Sequence, residues 1–465
     1  MDFLIILLAL GLLIVVAYRG QSVILFAPVA AMLAVLLTQP SYVAPVFVGL
    51  FMDKMVQFVR LYFPVFLLGA VFGKLIELSG FSSVIVASVI RLVGRGRAML
   101  SVVLVCAILT YGGVSLFVVV FAVYPFAAEL FRQLDIPKRL LPGAIALGAF
   151  SFTMDALPGT PQIQNIIPTT FFHTDTWAAP WLGVIGAAFI LTSGLSYLEW
   201  RRRQALAQGE GYGAHTLHEP EKGQAVAAPR IHPLLAILPL LVVGVANKLI
   251  TLWIPSVYGK SYLVALPGLK KPLTGDVSPV VAIWAVEAAL LLGIATVLLL
   301  AFRVVRQRFA DGSKAAVAGA LLAAMNTASE YGFGAVIAAL PGFIAVSEAL
   351  RAIPNPLINE AITVTTLAGI TGSASGGMSI ALAAMAETFI QGAQAAGIPM
   401  EVLHRVAAMA SGGMDTLPHN GAVITLLAVT GLTHRDAYRD IFAVTCLKTL
   451  AVFVVIAVYL LTGLY

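Results

Sequence analysis

Asp155 and Asp415 stand in two copies of one short pattern, Met154-Asp155-Ala156-Leu157-Pro158 and Met414-Asp415-Thr416-Leu417-Pro418, each inside a long apolar segment. A carboxylate surrounded by hydrocarbon is costly and marks an ion or substrate pathway. At that depth it either takes up a proton or helps to ligate Na+ beside freed backbone carbonyls. Pro158 and Pro418 each remove a backbone donor and clash with the preceding turn, so each copy is expected to break a membrane helix. Broken ends are tolerated there only where they line a cavity or are buried in protein. His419, four residues after Asp415, adds a side chain that ordinarily titrates near neutral pH. Asp155, Asp415 and His419 are therefore the ion-coupling candidates. Two such sites in matching parts of one chain point to a secondary transporter.

The candidates for substrate contact lie around these breaks. Beyond the first are Thr160, Gln162 and Asn165; beyond the second are His419 and Asn420. Gly112-Gly113-Val114-Ser115 and Gly372-Ser373-Ala374-Ser375-Gly376-Gly377 interrupt two other apolar runs, where glycines suit tight turns. The arms on either side are too short for full spans, which predicts two re-entrant hairpins, at about 98–131 and 357–392. Gly112, Gly113, Ser115, Ser373, Ser375, Gly376, Gly377 and Ser379 then join the substrate-contact set. Hydroxyls, amides and helix N-termini suit a small, oxygen-rich anion. No Arg stands in either Met-Asp motif, which favours a monoanion over a di- or tricarboxylate. Glu330, following Asn326, Thr327 and Ser329, is a further ionisable candidate, ahead of Glu287 and Glu387.

The elements that must hold these residues are membrane helices. The chain has 465 residues, 60% of them apolar and only 11% charged. Its mean hydropathy is +0.96, and soluble domains carry about 25% charged residues. Several runs reach the roughly 20 residues that cross a bilayer core. The expected class is an all-α polytopic membrane protein. Phe3–Tyr18 lacks a basic leader and a small-residue cleavage site, so it is read as the first span. Tyr42–Arg60 looks interfacial, with Leu61–Leu78 as a span. Cys106 and Cys446 lie within apolar segments and imply no disulfide framework. The net charge of +6 is mostly loop Lys and Arg, not a nucleic-acid signal.

Matching motifs recur in order. Gly112-Gly113-Val114-Ser115 pairs with Gly376-Gly377-Met378-Ser379, Asp135-Ile136-Pro137 with Gly397-Ile398-Pro399, and the two Met-Asp patterns follow. The expected organisation is two inverted repeats of about five spans each, with two re-entrant hairpins and two broken helices. The first repeat covers 1–200, with a broken helix at about 141–172. The second covers 231–465, with its broken helix at about 402–429. The polar stretch 201–230 between them is expected to be a mobile cytoplasmic linker. With the N-terminus outside, Arg91, Arg95, Arg97, Arg201, Arg202, Arg203, Arg303, Arg306 and Arg308 fall inside, whereas Lys260, Lys270, Lys271 and Arg405 fall outside. That asymmetry matches the bias of basic loops toward the cytoplasm. The expected location is a bacterial inner membrane, with both termini periplasmic.

Gly-rich hairpins and proline-broken helices in repeated halves resemble the ion transporter superfamily. Within it the chain resembles the GntP family of gluconate and related hydroxy-acid permeases, most specifically through Leu157-Pro158-Gly159-Thr160-Pro161-Gln162-Ile163-Gln164-Asn165. The resemblance implies a homodimer, an elevator-type moving domain, and proton-coupled uptake of a hydroxymonocarboxylate. The break lacks the Pro-Pro-His-Pro pattern of the gluconate members, which favours a shorter acid such as 3-hydroxybutyrate.

Other classes are left less room. A Na+-coupled carboxylate symporter or a Na+/H+ antiporter uses similar repeats and carboxylates. An intramembrane aspartyl protease needs Gly-x-Gly-Asp, where this chain has Gly412-Gly413-Met414-Asp415. No H-E-x-x-H, P-loop or G-x-S-x-G pattern argues for an enzyme. The expected partners are a carboxylate, the bilayer and a second copy, with no nucleic acid; no metal or cofactor is expected beyond the coupling H+ or Na+.

Overall fold

Long apolar runs become helices wherever proline sits at a first turn, since its missing N–H is unpaired there in any case. Pro40, Pro180, Pro233 and Pro356 each start a helical run in this way. The protein was analysed as a computed structural model that describes residues 2–19, 21–215, 217, 219, 231–343, 353–418 and 420–465.

The first helices are α1 (Asp2–Tyr18), α2 (Val23–Thr38) and α3 (Asp53–Leu78), followed by α4 (Phe81–Val93). A first hairpin is built from α5 (Ala98–Tyr111) and α6 (Leu116–Gln133). The first interrupted segment comprises α7 (Leu141–Ala149), the short α8 (Phe152–Asp155) and α9 (Ile163–Phe172), and α10 (Pro180–Ala207) follows. Next come α11 (Pro233–Tyr258), α12 (Val281–Val305) and α13 (Phe309–Ala339). A second hairpin joins α14 (Pro356–Thr371) to α15 (Ala374–Ala395). The second interrupted segment is α16 (Met400–Gly412), a 3-10 turn at Gly413–Thr416 and α17 (Gly421–Thr430), before the closing α18 (His434–Thr462).

The chain is a polytopic, essentially all-helical membrane protein. Among the described residues five helical runs are long and apolar enough to cross a bilayer: Pro40–Leu78, Pro180–Ala207, Pro233–Tyr258, Val281–Val305 and His434–Thr462. Exposed Leu, Val, Trp and Phe cover these helices, as a hydrocarbon solvent requires. Lengthwise α3 packs along α13, α11 along α12, and α10 along α18. The two arms of each hairpin pack on each other. A Cβ on Gly377 would collide with the backbone of Ala368, so the second pair touches backbone to backbone.

Two expectations change, and one outer loop holds strands. The proposed interfacial piece Tyr42–Arg60 is not separate from the span after it; helical turns run unbroken from Pro40 to Leu78. Its charges do not stop the helix, because Asp53 and Arg60 face outward and Lys54 bonds Gln57 Oε1 at 3.2 Å. The loop around Lys270-Lys271 contains a small antiparallel ribbon, β1 (Ser261–Val264) with β2 (Leu273–Asp276), paired Ser261 to Asp276 through Val264 to Leu273. The linker is anchored in its described part. Arg139 grips Glu210 through Nε and Nη2, both at 2.7 Å. Lys138, 1% exposed, reaches Glu219 at 2.6 Å, and the Tyr212 N–H donates to Asp135 Oδ1 at 2.8 Å. Polarity marks a stretch as a linker in sequence; these charge partners lie far away along the chain and are invisible there.

Candidate functional site

Both Met-Asp motifs fall at helix interruptions. The first leaves residues 156–162 outside regular helix, between α8 and α9. The second leaves 417, 418 and 420 between the 3-10 turn and α17. Pro158 and Pro418 sit in these gaps, half-buried. Asp155 is 1% exposed and Asp415 8%. Thr160 and Asn165 are spent on holding the first gap in shape. The Thr160 hydroxyl donates to Thr153 O at 2.7 Å, and Asn165 Nδ2 donates to Thr160 O and Thr176 O at 3.0 and 2.8 Å.

Each hairpin turn is tied to one gap. At the first, Gln162 Nε2 donates to Thr110 O at 2.7 Å and the Tyr111 hydroxyl donates to Pro158 O at 2.8 Å. Gly113 makes this turn at φ +93, a left-handed conformation that glycine adopts freely, and it faces Pro161. Ser115 follows it, half-buried, at the start of α6. Gly112 packs on Leu240. At the second, Asn420 Nδ2 donates to Gly372 O at 2.7 Å and the Ala374 N–H donates to Asp415 Oδ1 at 3.1 Å. Here the left-handed residue is Gly372, at φ +66, and Ser373 caps α15 by accepting from the Gly376 N–H at 3.1 Å. Gly376 and Gly377, matched in sequence with Gly112 and Gly113, thus lie inside the first turn of α15. The structural counterpart of Gly113 is Gly372. Ser375 Oγ is 3.4 Å from Thr327 Oγ1, and Ser379 Oγ is buried without a hydrogen-bond partner. His419 lies outside the described residues.

The two gaps are themselves interlocked. Gln164 Nε2, from the start of α9, donates to Asp415 Oδ2 at 2.8 Å. Asn420 Nδ2 approaches Asp415 Oδ1 at 3.4 Å, so the Asp415 carboxylate is ringed by N–H donors from three elements. Asp155 lies against Gly412, whose missing Cβ makes room for the carboxylate. Neither Asp155 oxygen accepts a hydrogen bond; the Lys448 ammonium of α18, 1% exposed, stands 3.3 Å from Oδ2. Lys448 also donates to Phe150 O at 2.6 Å and to Gly412 O, clamping the ends of α7 and α16 together.

A second buried cation completes the centre. Arg405 of α16 is fully buried, donating through Nη1 to Asp155 O at 2.7 Å and to Asn165 Oδ1 at 3.0 Å, and through Nη2 to Ala178 O at 2.8 Å. The sequence pattern puts Arg405 outside and leaves Lys448 unmarked, because one follows a helix start and the other sits in a uniformly apolar span. His404 beside it is also fully buried. Asn165 Nδ2 is committed to two carbonyls, so its Oδ1 accepts from His404 Nε2 at 3.2 Å; His404 Nδ1 then accepts from the Thr174 hydroxyl at 2.7 Å. Thr174 lines a cavity of about 1040 Å³ together with Trp177, Lys248 and Asp175, so this chain of bonds runs from the cavity to the first gap. Lys248 Nζ stands 4.7 Å from the Trp177 ring centroid, and that indole closes over Gly159.

Of the other acidic candidates, Glu330 is buried, Glu287 half-buried, and Glu387 exposed and bonded to Gln391. No group of three or more metal-binding side chains occurs among the described residues.

The chain matches no family model. It is similar to the uncharacterized transporter YxjC of Bacillus subtilis (strain 168), with 58% identity over 471 residues and complete coverage of both chains. Its fold is similar to that of the YdaH transporter of Alcanivorax borkumensis, whose crystal structure was described as having an unusual topology. That likeness has a TM-score of 0.50 and 16% identity, covering 89% of this chain and 88% of the other.

Proposed function

The chain belongs to the transporter family of YxjC, and from that premise we propose that it is a secondary active transporter that moves a small hydroxymonocarboxylate in symport with a proton. A transporter, rather than an enzyme, accords with both similar proteins. The observation that carries the finer reading is the interlock beside the two gaps, with Gln164 at the edge of one bonded to Asp415 at the edge of the other at 2.8 Å. Unwound backbone at membrane depth, faced by paired carboxylates and amides, is the arrangement in which transporters bind small polar cargo.

Charge favours a monoanion. Asp155 and Asp415 are offset by Lys448 and Arg405, so the buried centre is close to neutral while Glu330 beside it is the acid. A single added negative charge is best received by the N–H groups at the starts of α6 and α9, beside Ser115 and Gln162. A dicarboxylate finds no free guanidinium among the described residues of this centre, since Arg405 is committed to backbone and amide oxygens. Within the reading, the halves are inverted repeats and each gap with its hairpin moves as part of an elevator domain of a homodimer. Asp155 and Asp415 are its ion-linked carboxylates, and 3-hydroxybutyrate is the preferred cargo over gluconate.

The test is uptake of labelled 3-hydroxybutyrate and gluconate into proteoliposomes under imposed proton or Na+ gradients. Accumulation driven by an inward proton gradient supports the reading. Accumulation only with Na+ replaces the proton in it, and Na+/H+ exchange without movement of either acid overturns it in favour of an antiporter.

A further inference from the structure

Three buried carboxyls converge on the two gaps, and they are not equivalent. The charge of Asp155 is met by the Lys448 ammonium at 3.3 Å. That of Asp415 is met by N–H donors of Ala374, Gln164 and Asn420. Glu330, on α13, is 4% exposed, and its Oε2 has no hydrogen-bond partner. Its carboxyl presses on Gly376 in the first turn of α15, where any Cβ would strike Oε2 and Cδ. Ser373, the cap of α15, lies beside the same carboxyl.

The groups facing Glu330 are few. Asp415 approaches from the second gap and Tyr331 follows it on its own helix. From α3, Tyr62 approaches Tyr331 rather than Glu330, with its hydroxyl engaged with Thr170 Oγ1 at 2.9 Å. The charged side chains of α3 lie elsewhere: Lys74 pairs with Glu77, Lys54 bonds Gln57, and Asp53 and Arg60 face outward. Helix α2 and the turns at 47–52 contain no ionisable side chain, and Glu387 of α15 is exposed. Among the described residues no cation pairs with Glu330. A buried carboxyl without a counter-charge is held as the neutral acid or must receive a cation.

We propose that Glu330 takes up the coupling proton, as a carboxyl seated between α13 and the start of α15 next to Asp415. The proposal rests on the symport reading above and adds the residue to it. One proton joins the Glu330 carboxylate on the uptake side and leaves it on the other, with no other bond made or broken. A monoanion arriving at the start of α9, where Gln164 reaches Asp415, repels the ionised form of Glu330 and favours the acid, so cargo and proton bind together. The contact between α13 and the second hairpin then senses the proton directly, since the Glu330 carboxyl lies against Gly376 and Ser373 at the start of α15.

Infrared difference spectroscopy of the purified wild-type protein across a pH titration tests this without a substrate. The expected result is a protonated-carboxyl C=O band that titrates in the wild type, is lost in Glu330→Gln and persists in Glu360→Gln, which removes another buried acid. Gly376→Ala, which pushes a methyl group into the carboxyl, is expected to shift the midpoint of that band. Unchanged titrating bands in Glu330→Gln overturn the proposal; if that variant does not fold, an unshifted band in Gly376→Ala does so. In proteoliposomes loaded with 3-hydroxybutyrate, Glu330→Gln is expected to lose proton-driven accumulation by tenfold or more and the pH dependence of its exchange. Retention of proton-driven accumulation also overturns the proposal. If the wild type moves no acid, the symport reading fails while the infrared result still decides where the proton sits.

Discussion

Lys448 Nζ and Asp155 Oδ2 stand 3.3 Å apart, both side chains 1% exposed, where α18 passes the ends of α7 and α16. Removing one member of such a pair strands the other charge, at a cost of about 3–5 kcal/mol. Lys448→Met is therefore expected to lower the thermal stability of the purified protein sharply, and Asp155→Asn in the same chain to restore part of the loss. Thermal unfolding of the two single variants and the double variant measures this. Strictly additive losses contradict a direct pairing.

Arg405→Lys tests whether the fork geometry of the guanidinium matters. Three nitrogens of Arg405 reach Ala178 O, Asp155 O and Asn165 Oδ1. A lysine ammonium is a single point and leaves some of these buried acceptors unpaired, at about 1–3 kcal/mol each. The expected outcome is reduced thermal stability together with loss of uptake. Wild-type melting of Arg405→Lys contradicts the account.

Gln164→Ala removes the one side-chain bond, among the described residues, that joins the edge of the first gap to Asp415. Hydrogen bonds to charged groups contribute about 1.5–3 kcal/mol, and 1.4 kcal/mol corresponds to about tenfold. Uptake is expected to fall by about tenfold or more, read as initial rate at low cargo concentration. A fall of less than twofold would show that the gaps do not act together.

The linker clasp is pH-dependent with a definite sign. The hydrogen bond from Arg139 holds the Glu210 carboxyl below the usual carboxylate range. A depressed carboxyl adds stability above its unfolded pKa, and that stability is lost as pH falls through the folded value. Limited proteolysis with an acid-tolerant protease is expected to cut 205–215 faster as the pH drops below the carboxylate range. Glu210→Gln is expected to cut equally fast at all pH values. Equal protection of that variant and the wild type at neutral pH contradicts the clasp.

Much of the fold was legible because helix-breaking prolines and left-handed glycines act locally. Pro158 and Pro418 mark the two gaps, and Gly113 marks the first turn, from their own chemistry. The second turn lies within the expected stretch Gly372–Gly377, at its first residue; Gly376 and Gly377, paired in sequence with Gly112 and Gly113, serve instead for close packing on Glu330 and Ala368. Long-range partners were not legible. Nothing local says that Lys448 faces Asp155, or that Arg405, expected outside, turns inward to close the first gap. In the linker, polarity signalled a boundary but hid the grip of Lys138 and Arg139.

The most direct measurement of the central claim is proton-driven uptake of labelled 3-hydroxybutyrate by proteoliposomes carrying wild type, Asp155→Asn or Asp415→Asn. With all three proteins reconstituted to equal density, accumulation by the wild type and its loss in each variant is expected. Undiminished accumulation in both variants would contradict a transport site built on the two gaps.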